Sequence, residues 1–263
     1  MLQNAAEVAC TQAGRQLEVR VTNNTGHKLP TGYPEGRRVW INVRFLDPNG
    51  VLIGESAGYD ATTGILSHDP AAKIYEIEPV TSGIPGVPDG TLFHFVLNNA
   101  VHKDNRIPPR GFTNAAFAAF GGPPVGYAYA DGQYWDDTYY SIPLETAAVQ
   151  VTLYYQSTSK EFVEFLRDTN TTNTKGQEIY NLWANNGKCP PEPMVQVQLP
   201  IAPPPPGDIN LDGYVNWLDY ELFAGCLVGP EVPYGTGCER SNLDVDADCD
   251  LLDMAEFQAG FTG

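Results

Sequence analysis

Residues 16–23 alternate, with Leu17, Val19 and Val21 on one side and Glu18, Arg20 and Thr22 on the other. A period of two is that of a half-buried β-strand. Asn23-Asn24-Thr25-Gly26 turns the chain, and residues 27–36 form a loop punctuated by proline and glycine. Residues 38–46 (RVWINVRFL) predict a second, stronger strand. Asp47-Pro48-Asn49-Gly50 has proline and glycine where a β-turn takes them, and residues 51–57 return as the hairpin partner. Further strands are expected near 73–79, 91–97 and 148–155, the last with Val149, Val151, Leu153 and Tyr155 in alternation. Val195, Val197 and Leu199 give a final strand. Long loops are expected at 80–90 and 99–147.

Two stretches switch to helical spacing. Ser159-Lys160-Glu161-Phe162 opens one, with Phe162, Phe165 and Leu166 on a single face. Residues 174–186 make the other, with Ile179, Leu182 and Trp183 inward and Gly187 as its stop. Pro203 to Pro206 form a stiff extended spacer that marks a boundary. The pattern therefore predicts a mainly β chain. Residues 1–201 form an immunoglobulin-like β-sandwich with two short helices, 202–206 a proline linker, and 207–263 a small α-helical metal-binding module.

The module's first twelve-residue stretch is Asp208-Ile209-Asn210-Leu211-Asp212-Gly213-Tyr214-Val215-Asn216-Trp217-Leu218-Asp219. Side-chain oxygens stand at its positions 1, 3, 5, 9 and 12 (Asp208, Asn210, Asp212, Asn216, Asp219), with Gly213 at position 6. That is the spacing of an EF-hand calcium loop, in which Tyr214 supplies its backbone carbonyl. Calcium takes six to eight oxygens, and a loop wrapped around one point delivers them from alternate residues. Without an ion the three aspartates crowd like charges together. A second copy begins 34 residues later, with oxygens at Asn242, Asp244, Asp246, Asp248, Asp250 and Asp253. Leu218 matches Leu252, and Phe223 matches Phe257. The second copy differs at position 1, Asn242, and at position 6, where Ala247 meets the steric penalty for positive φ that glycine avoids. Two calcium ions are expected, the first held more tightly.

The net charge is −17, and the residues from Gly207 onward carry −11 of it. A chain this acidic is a poor nucleic-acid binder. No apolar run reaches the length of a membrane span. The start, Met1 to Ala6, lacks the pattern of a signal peptide and reads as the end of a helix, as a fragment of a longer protein would begin. The five cysteines, Cys10, Cys189, Cys226, Cys238 and Cys249, show no CxxC and no CxxCH, so the chain carries no covalent haem-attachment motif and no obvious zinc site. Cys226 and Cys238 flank a Gly/Pro-rich excursion, where a disulfide suits an oxidising compartment. Cys249, at the apolar position 8 that Val215 holds in the first loop, reads as a buried thiol. No nucleophile elbow, phosphate loop or zinc-protease helix is present, so no enzyme is expected.

From Gly207 to Phe261 the chain resembles the type I dockerin-like modules of secreted bacterial proteins. In cellulosomal dockerins loop positions 10 and 11 contact a cohesin. Here they are Trp217-Leu218 and Leu251-Leu252 rather than small hydroxyl residues, which leaves an intramolecular or self-association role open beside a cohesin-like partner. The first 200 residues resemble the C-terminal haem-free region of large multihaem c-type cytochromes. The segments that carry this are Thr25 to Arg38 (TGHKLPTGYPEGRR), Lys103 to Phe112 (KDNRIPPRGF), Leu153 to Gln156, Glu161 to Arg167, and Asn186 to Pro191. The resemblance implies an electron-transfer protein of the periplasm or cell exterior, its haems N-terminal to residue 1. It also implies that His27 can be an axial ligand to a haem held by that region; the alternative is a histidine that hydrogen-bonds its own loop. His68, His94 and His102 read as structural.

Arg106 and Arg110, with Arg37 and Arg38, can clamp an anion such as a haem propionate, or else form loop-fixing ion pairs with Asp104 or Glu35. Tyr127, Tyr129, Tyr134, Trp135, Tyr139 and Tyr140 either offer a face for sugar rings or pack over long loops. Asp136-Asp137 reads as a solvated pair in a turn. Two functions remain: the non-catalytic region of an extracellular multihaem cytochrome with a calcium assembly module, or a carbohydrate-binding sandwich joined to a dockerin in a polysaccharide-processing assembly.

Overall fold

The computed structural model describes residues 2–261. A 3-10 helix, Leu2–Asn4, leads into strands β1 (Ala6–Ala13) and β2 (Gln16–Asn23), which pair as an antiparallel hairpin. The expected helix end over residues 1–6 is thus only that short turn, and Met1 lies outside the described residues. Ala6, Val8 and Cys10 alternate inward, which is a strand's period.

β3 (Arg38–Leu46) is followed by β4 (Leu52–Ser56), the short pairs β5 (Tyr59–Asp60) and β6 (Ile65–Leu66), then β7 (Lys73–Tyr75), β8 (Ile77–Val80) and β9 (Ala100–Asp104). Helix α1 (Asn114–Phe120) and β10 (Trp135–Ser141) precede β11 (Ala148–Gln156). Helices α2 (Lys160–Thr169) and α3 (Lys175–Asn185) lead to β12 (Glu192–Pro200), and α4 (Trp217–Ala224) and α5 (Leu251–Gly260) follow. The two large sheets run β1-β2-β10 and β12-β11-β3-β4, with β7 also on β3; β5-β6 and β8-β9 are separate two-stranded pairs.

The chain is mainly β, a sandwich with short helices. Leu17, Val19 and Val21 of β2 and Tyr140 of β10 share one core with Val39, Ile41, Val43 and Phe45 of β3 and Val149, Val151 and Leu153 of β11. β3 is buried on both faces: Trp40, from its other side, closes a second cluster with Ala57, Leu66 and Ile74.

Three expectations are corrected. Residues 91–97 form no strand; the strand lies at Ala100–Asp104, paired with β8. The stretch 99–147 is not one long loop, because it holds β9, α1 and β10. The buried positions of β10 are Asp136 and Tyr140, so its alternation does not show in aliphatic residues. In α3 Trp183 and Gly176 are buried, whereas Ile179 and Leu182 are exposed. The helix meets α2 through Gly176, where an added Cβ would lie 2.0 Å from the Leu166 carbonyl oxygen.

Candidate metal centre

After Pro206 the chain curls because three polar side chains of the first loop each capture a backbone N–H two residues on. The Tyr214 amide donates to Asp212 Oδ1 at 2.9 Å, the Asp212 amide to Asn210 Oδ1 at 2.9 Å, and the Leu218 amide to Asn216 Oδ1 at 2.8 Å. Such Asx turns are the local competitor to helix and sheet. Asp219 reaches back across the loop. Its Oδ1 accepts from the Ile209 and Asn210 amides at 2.8 and 3.0 Å, and its Oδ2 from the Asn216 amide at 3.0 Å. The last of these closes a capping box on α4. Asp208 Oδ2 accepts from the Gly213 amide at 3.0 Å.

Carboxylate oxygens of Asp208, Asp212 and Asp219 lie within 4.8 Å of one another. One calcium ion bonded at ~2.3–2.6 Å to each spans that separation. Asp208 is 3% exposed, and its Oδ1 is buried with no hydrogen-bond partner. A buried carboxylate oxygen without a hydrogen-bond partner suits a cation. Burial, with the charges of Asp219 and Asp212, holds the Asp208 carboxyl above its ordinary range.

The second loop repeats the frame. Asp253 Oδ1 accepts from the Leu243 and Asp244 amides at 2.5 and 3.2 Å, its Oδ2 from the Asp250 amide at 2.8 Å, and this caps α5. Leu211 and Val245, at the same loop position, are both left-handed, with φ of 68° and 63°. The loops part at position 6. Gly213 has φ of 95°, whereas Ala247 is not among the residues with positive φ, so it avoids the expected penalty by taking a different route. The carboxylates that gather are Asp248, Asp250 and Asp253, within 4.8 Å. Asp244 and Asp246 lie outside that group, and Asn242 binds the Asp246 backbone through both side-chain atoms. Asp248 is buried, Oδ2 accepting from the Glu231 amide at 2.5 Å and Oδ1 without a partner. In each loop, then, one carboxylate oxygen is buried and unbonded beside two further carboxylates.

Val215, Phe223, Cys249 and Phe257 form a core of their own beneath the loops, with the Phe223 and Phe257 rings stacked 5.1 Å apart. Cys226 and Cys238 are bonded at 2.04 Å. Cys249 is a buried free thiol, and Cys10 and Cys189 are free.

His27 lies exposed in the loop between β2 and β3. Its carbonyl accepts from Asn23 Nδ2 at 2.7 Å and Thr25 Oγ1 at 2.8 Å, while its imidazole makes no hydrogen bond among the described residues. Arg106 forks onto Asp104, which also holds buried Lys28 at 2.7 Å. Arg110 stacks on Tyr134, and Arg38 holds Gln156 and Glu161. Among the described residues Glu35 pairs with no arginine; Asn98 donates to it at 2.8 Å.

Of the aromatic group, Tyr129 and Tyr140 are buried, Tyr127 donates to Asp136, and Tyr134 and Trp135 meet edge to face. Asp136 is no solvated turn residue: β10 turns it inward to Lys73 at 2.9 Å and Tyr75 at 2.9 Å, and turns Asp137 outward to Arg20. Sequence reading missed this cluster because its members lie 61 residues apart. It also missed an apolar cleft of about 460 Å³ lined by Tyr33, Phe93, Phe162 and Phe165.

No protein-family model and no curated protein matches the chain. Among solved structures it is similar to a penta-heme cytochrome c552 from Thermochromatium tepidum, at 16% identity and a TM-score of 0.45, covering 76% of this chain and 40% of that one. The chain thus spans less than half the length of that cytochrome. Among the described residues no helix is long and apolar enough to cross a membrane.

Proposed function

We propose that this chain is a non-catalytic, extracytoplasmic region of an electron-transfer protein, and that its tail binds two calcium ions in the service of assembly. The observation that carries the calcium reading is the pair of buried, unbonded oxygens, Asp208 Oδ1 and Asp248 Oδ1, each beside two other carboxylates. Calcium supplies the missing partner and offsets the like-charge repulsion in each group. The ligands are Asp208, Asp212 and Asp219 in one loop and Asp248, Asp250 and Asp253 in the other. The bond between Cys226 and Cys238 fits an oxidising compartment.

The redox part rests on the cytochrome-like segments, Thr25 to Arg38 foremost. The exposed, unbonded imidazole of His27 is compatible with ligation of a haem iron held by a neighbouring region. Calorimetric titration of the metal-stripped chain tests the calcium reading: two ions bind, and Asp212→Ala removes one. A chain that binds one ion or none overturns it. The coding sequence upstream of residue 1 tests the redox reading, which needs repeated CxxCH there. Within such a parent protein, His27→Ala shifts the spin state or potential of one haem.

A further inference from the structure

The first calcium loop does not stand free of the sandwich. The turn of the β1–β2 hairpin, Gly14-Arg15, lies directly on it. The Arg15 amide donates to the Leu211 carbonyl at 3.3 Å. Gly14 has φ of +53°, and a Cβ there would lie 2.3 Å from both the carbonyl carbon and oxygen of Asp212 and 2.7 Å from the Gly213 nitrogen. The fit is reciprocal: a Cβ on Gly213 would lie 2.6 Å from the Gly14 nitrogen and 2.7 Å from its Cα. Two backbones therefore meet with no side chain between them, and the collision partners are main-chain atoms that cannot swing away. Beside this contact the spacer is tied down at its start. Gln12 Oε1 accepts from the Ala202 amide at 3.0 Å, and Gln12 Nε2 donates to the Ala202 carbonyl at 3.1 Å. Four prolines after Ala202 limit the paths the chain can take to the loop.

The touched segment, Leu211 to Gly213, includes the ligand Asp212, whose carboxylate belongs to the ion cluster while its backbone carries the hairpin turn. Among the described residues the second loop meets no sandwich turn in this way: Val245 and Ala247, the counterparts of Leu211 and Gly213, are exposed. The asymmetry also accounts for the residues at position 6. Glycine stands where another backbone presses on it, and alanine stands where nothing does.

We infer that calcium in the first loop latches the module onto the β1–β2 turn. This rests on the calcium reading above and names the module's partner: the sandwich of its own chain. Without the ion, three carboxylates repel across the loop and Leu211–Gly213 loses the shape the turn fits. With it, the loop is fixed and the turn seats. Linkage makes the effect mutual, so docking on the turn raises the calcium affinity of the first site by the factor by which calcium tightens docking.

The test uses the full chain in three forms: wild type, Gly14→Ala and Gly50→Ala. Gly50 has φ of +77° in another hairpin turn, and a Cβ there meets nothing within 4 Å. It carries the same class of backbone strain without the collision. Calcium titration by calorimetry is expected to show two sites in all three. In Gly14→Ala one site weakens by about tenfold, inside the ~5–150-fold range usual for coupled sites, and the other is unchanged. In Gly50→Ala both keep wild-type affinity. Small-angle scattering is expected to show wild type contracting when calcium replaces chelator, and Gly14→Ala staying expanded in both. Two wild-type affinities in Gly14→Ala, or a wild-type scattering profile indifferent to calcium, overturns the latch and leaves the calcium sites standing. A wild-type chain that takes up no calcium overturns both.

Discussion

Asp208→Asn is expected to act in opposite directions with and without calcium. In the absence of the ion Asp208 Oδ1 is a buried acceptor with no donor, next to the carboxylates of Asp212 and Asp219. A buried unsatisfied polar group costs ~1–3 kcal/mol, and more when charged. Asparagine keeps the shape and one oxygen, so the bond from the Gly213 amide, 3.0 Å long in the wild type, survives. Its amide N–H groups then face the carboxylates that previously repelled the charge. In chelator the variant should therefore be more stable than wild type by about 1–2 kcal/mol, part of that penalty. With free calcium at a hundred times the dissociation constant, wild type gains ~2.7 kcal/mol from an occupied site, a gain that the variant forgoes in the first loop. The stability order should invert. Urea denaturation followed by circular dichroism and tryptophan fluorescence, in chelator and in calcium, measures both differences. If Asp208→Asn is destabilised by the same amount in both buffers, the carboxylate is an ordinary structural group and the argument from its unbonded oxygen fails.

Phe257→Ala removes one ring of the stacked pair beneath both loops and should cost ~3–5 kcal/mol, melting α4 and α5 ahead of the sandwich in a calorimetric scan. A single unshifted transition would count against a separate core there. Asp104→Ala strands Lys28 and Arg106, both tied to that carboxylate, and should destabilise the sandwich by ~3–5 kcal/mol in urea titration. Burial holds the Glu35 carboxyl above its usual range, against the opposing bond from Asn98. Its folded form thus keeps a proton that the unfolded chain releases, and stability from this group falls as pH rises from ~4.3 through the raised value. Glu35→Gln should abolish that decline, and parallel pH profiles for the two proteins would refute it. Burial pushes the Cys10 thiol up to about 11, so its alkylation by iodoacetamide should be slow at pH 8 and accelerate steeply above pH 10.

Strands whose alternation is written in aliphatic residues were legible in the sequence. β2 and β11 stand where Leu17, Val19 and Val21, and Val149, Val151 and Leu153, put them. β10 was not legible, since its inward positions are an aspartate and a tyrosine whose partners, Lys73 and Tyr75, come from a distant strand. β1 escaped notice because its inward residues, Ala6, Val8 and Cys10, are small and the outward Ala9 breaks the apolar–polar alternation. Among the candidate metal ligands, loop spacing pointed to three aspartates of the first loop whose carboxylates gather. It could not show which carboxylates of the second loop gather, since that depends on the path of the backbone and not on spacing alone. Nor could it show the seat of the first loop on Gly14, which lies some two hundred residues earlier and carries no side chain to signal it.

β3 raises a different question, that of alignment. A strand with one wet face is held in register by the penalty for exposing its apolar side, because a slip of one residue exchanges the faces. β3 is covered on both faces over most of its length, so exposure to water does not tell them apart and that penalty is weak. Its polar residues take over the task. Asn42 is buried and donates to Glu55 Oε1 and to the carbonyls of Ser56 and Ala57, and Arg38 is buried against Gln156. A slip of one residue would turn both into the apolar core between the sheets, unbonded. The central strand of the sandwich is thus indexed by its two least hydrophobic buried side chains. Replacing them with apolar residues of similar size would remove the marks that tell the strand where to stop.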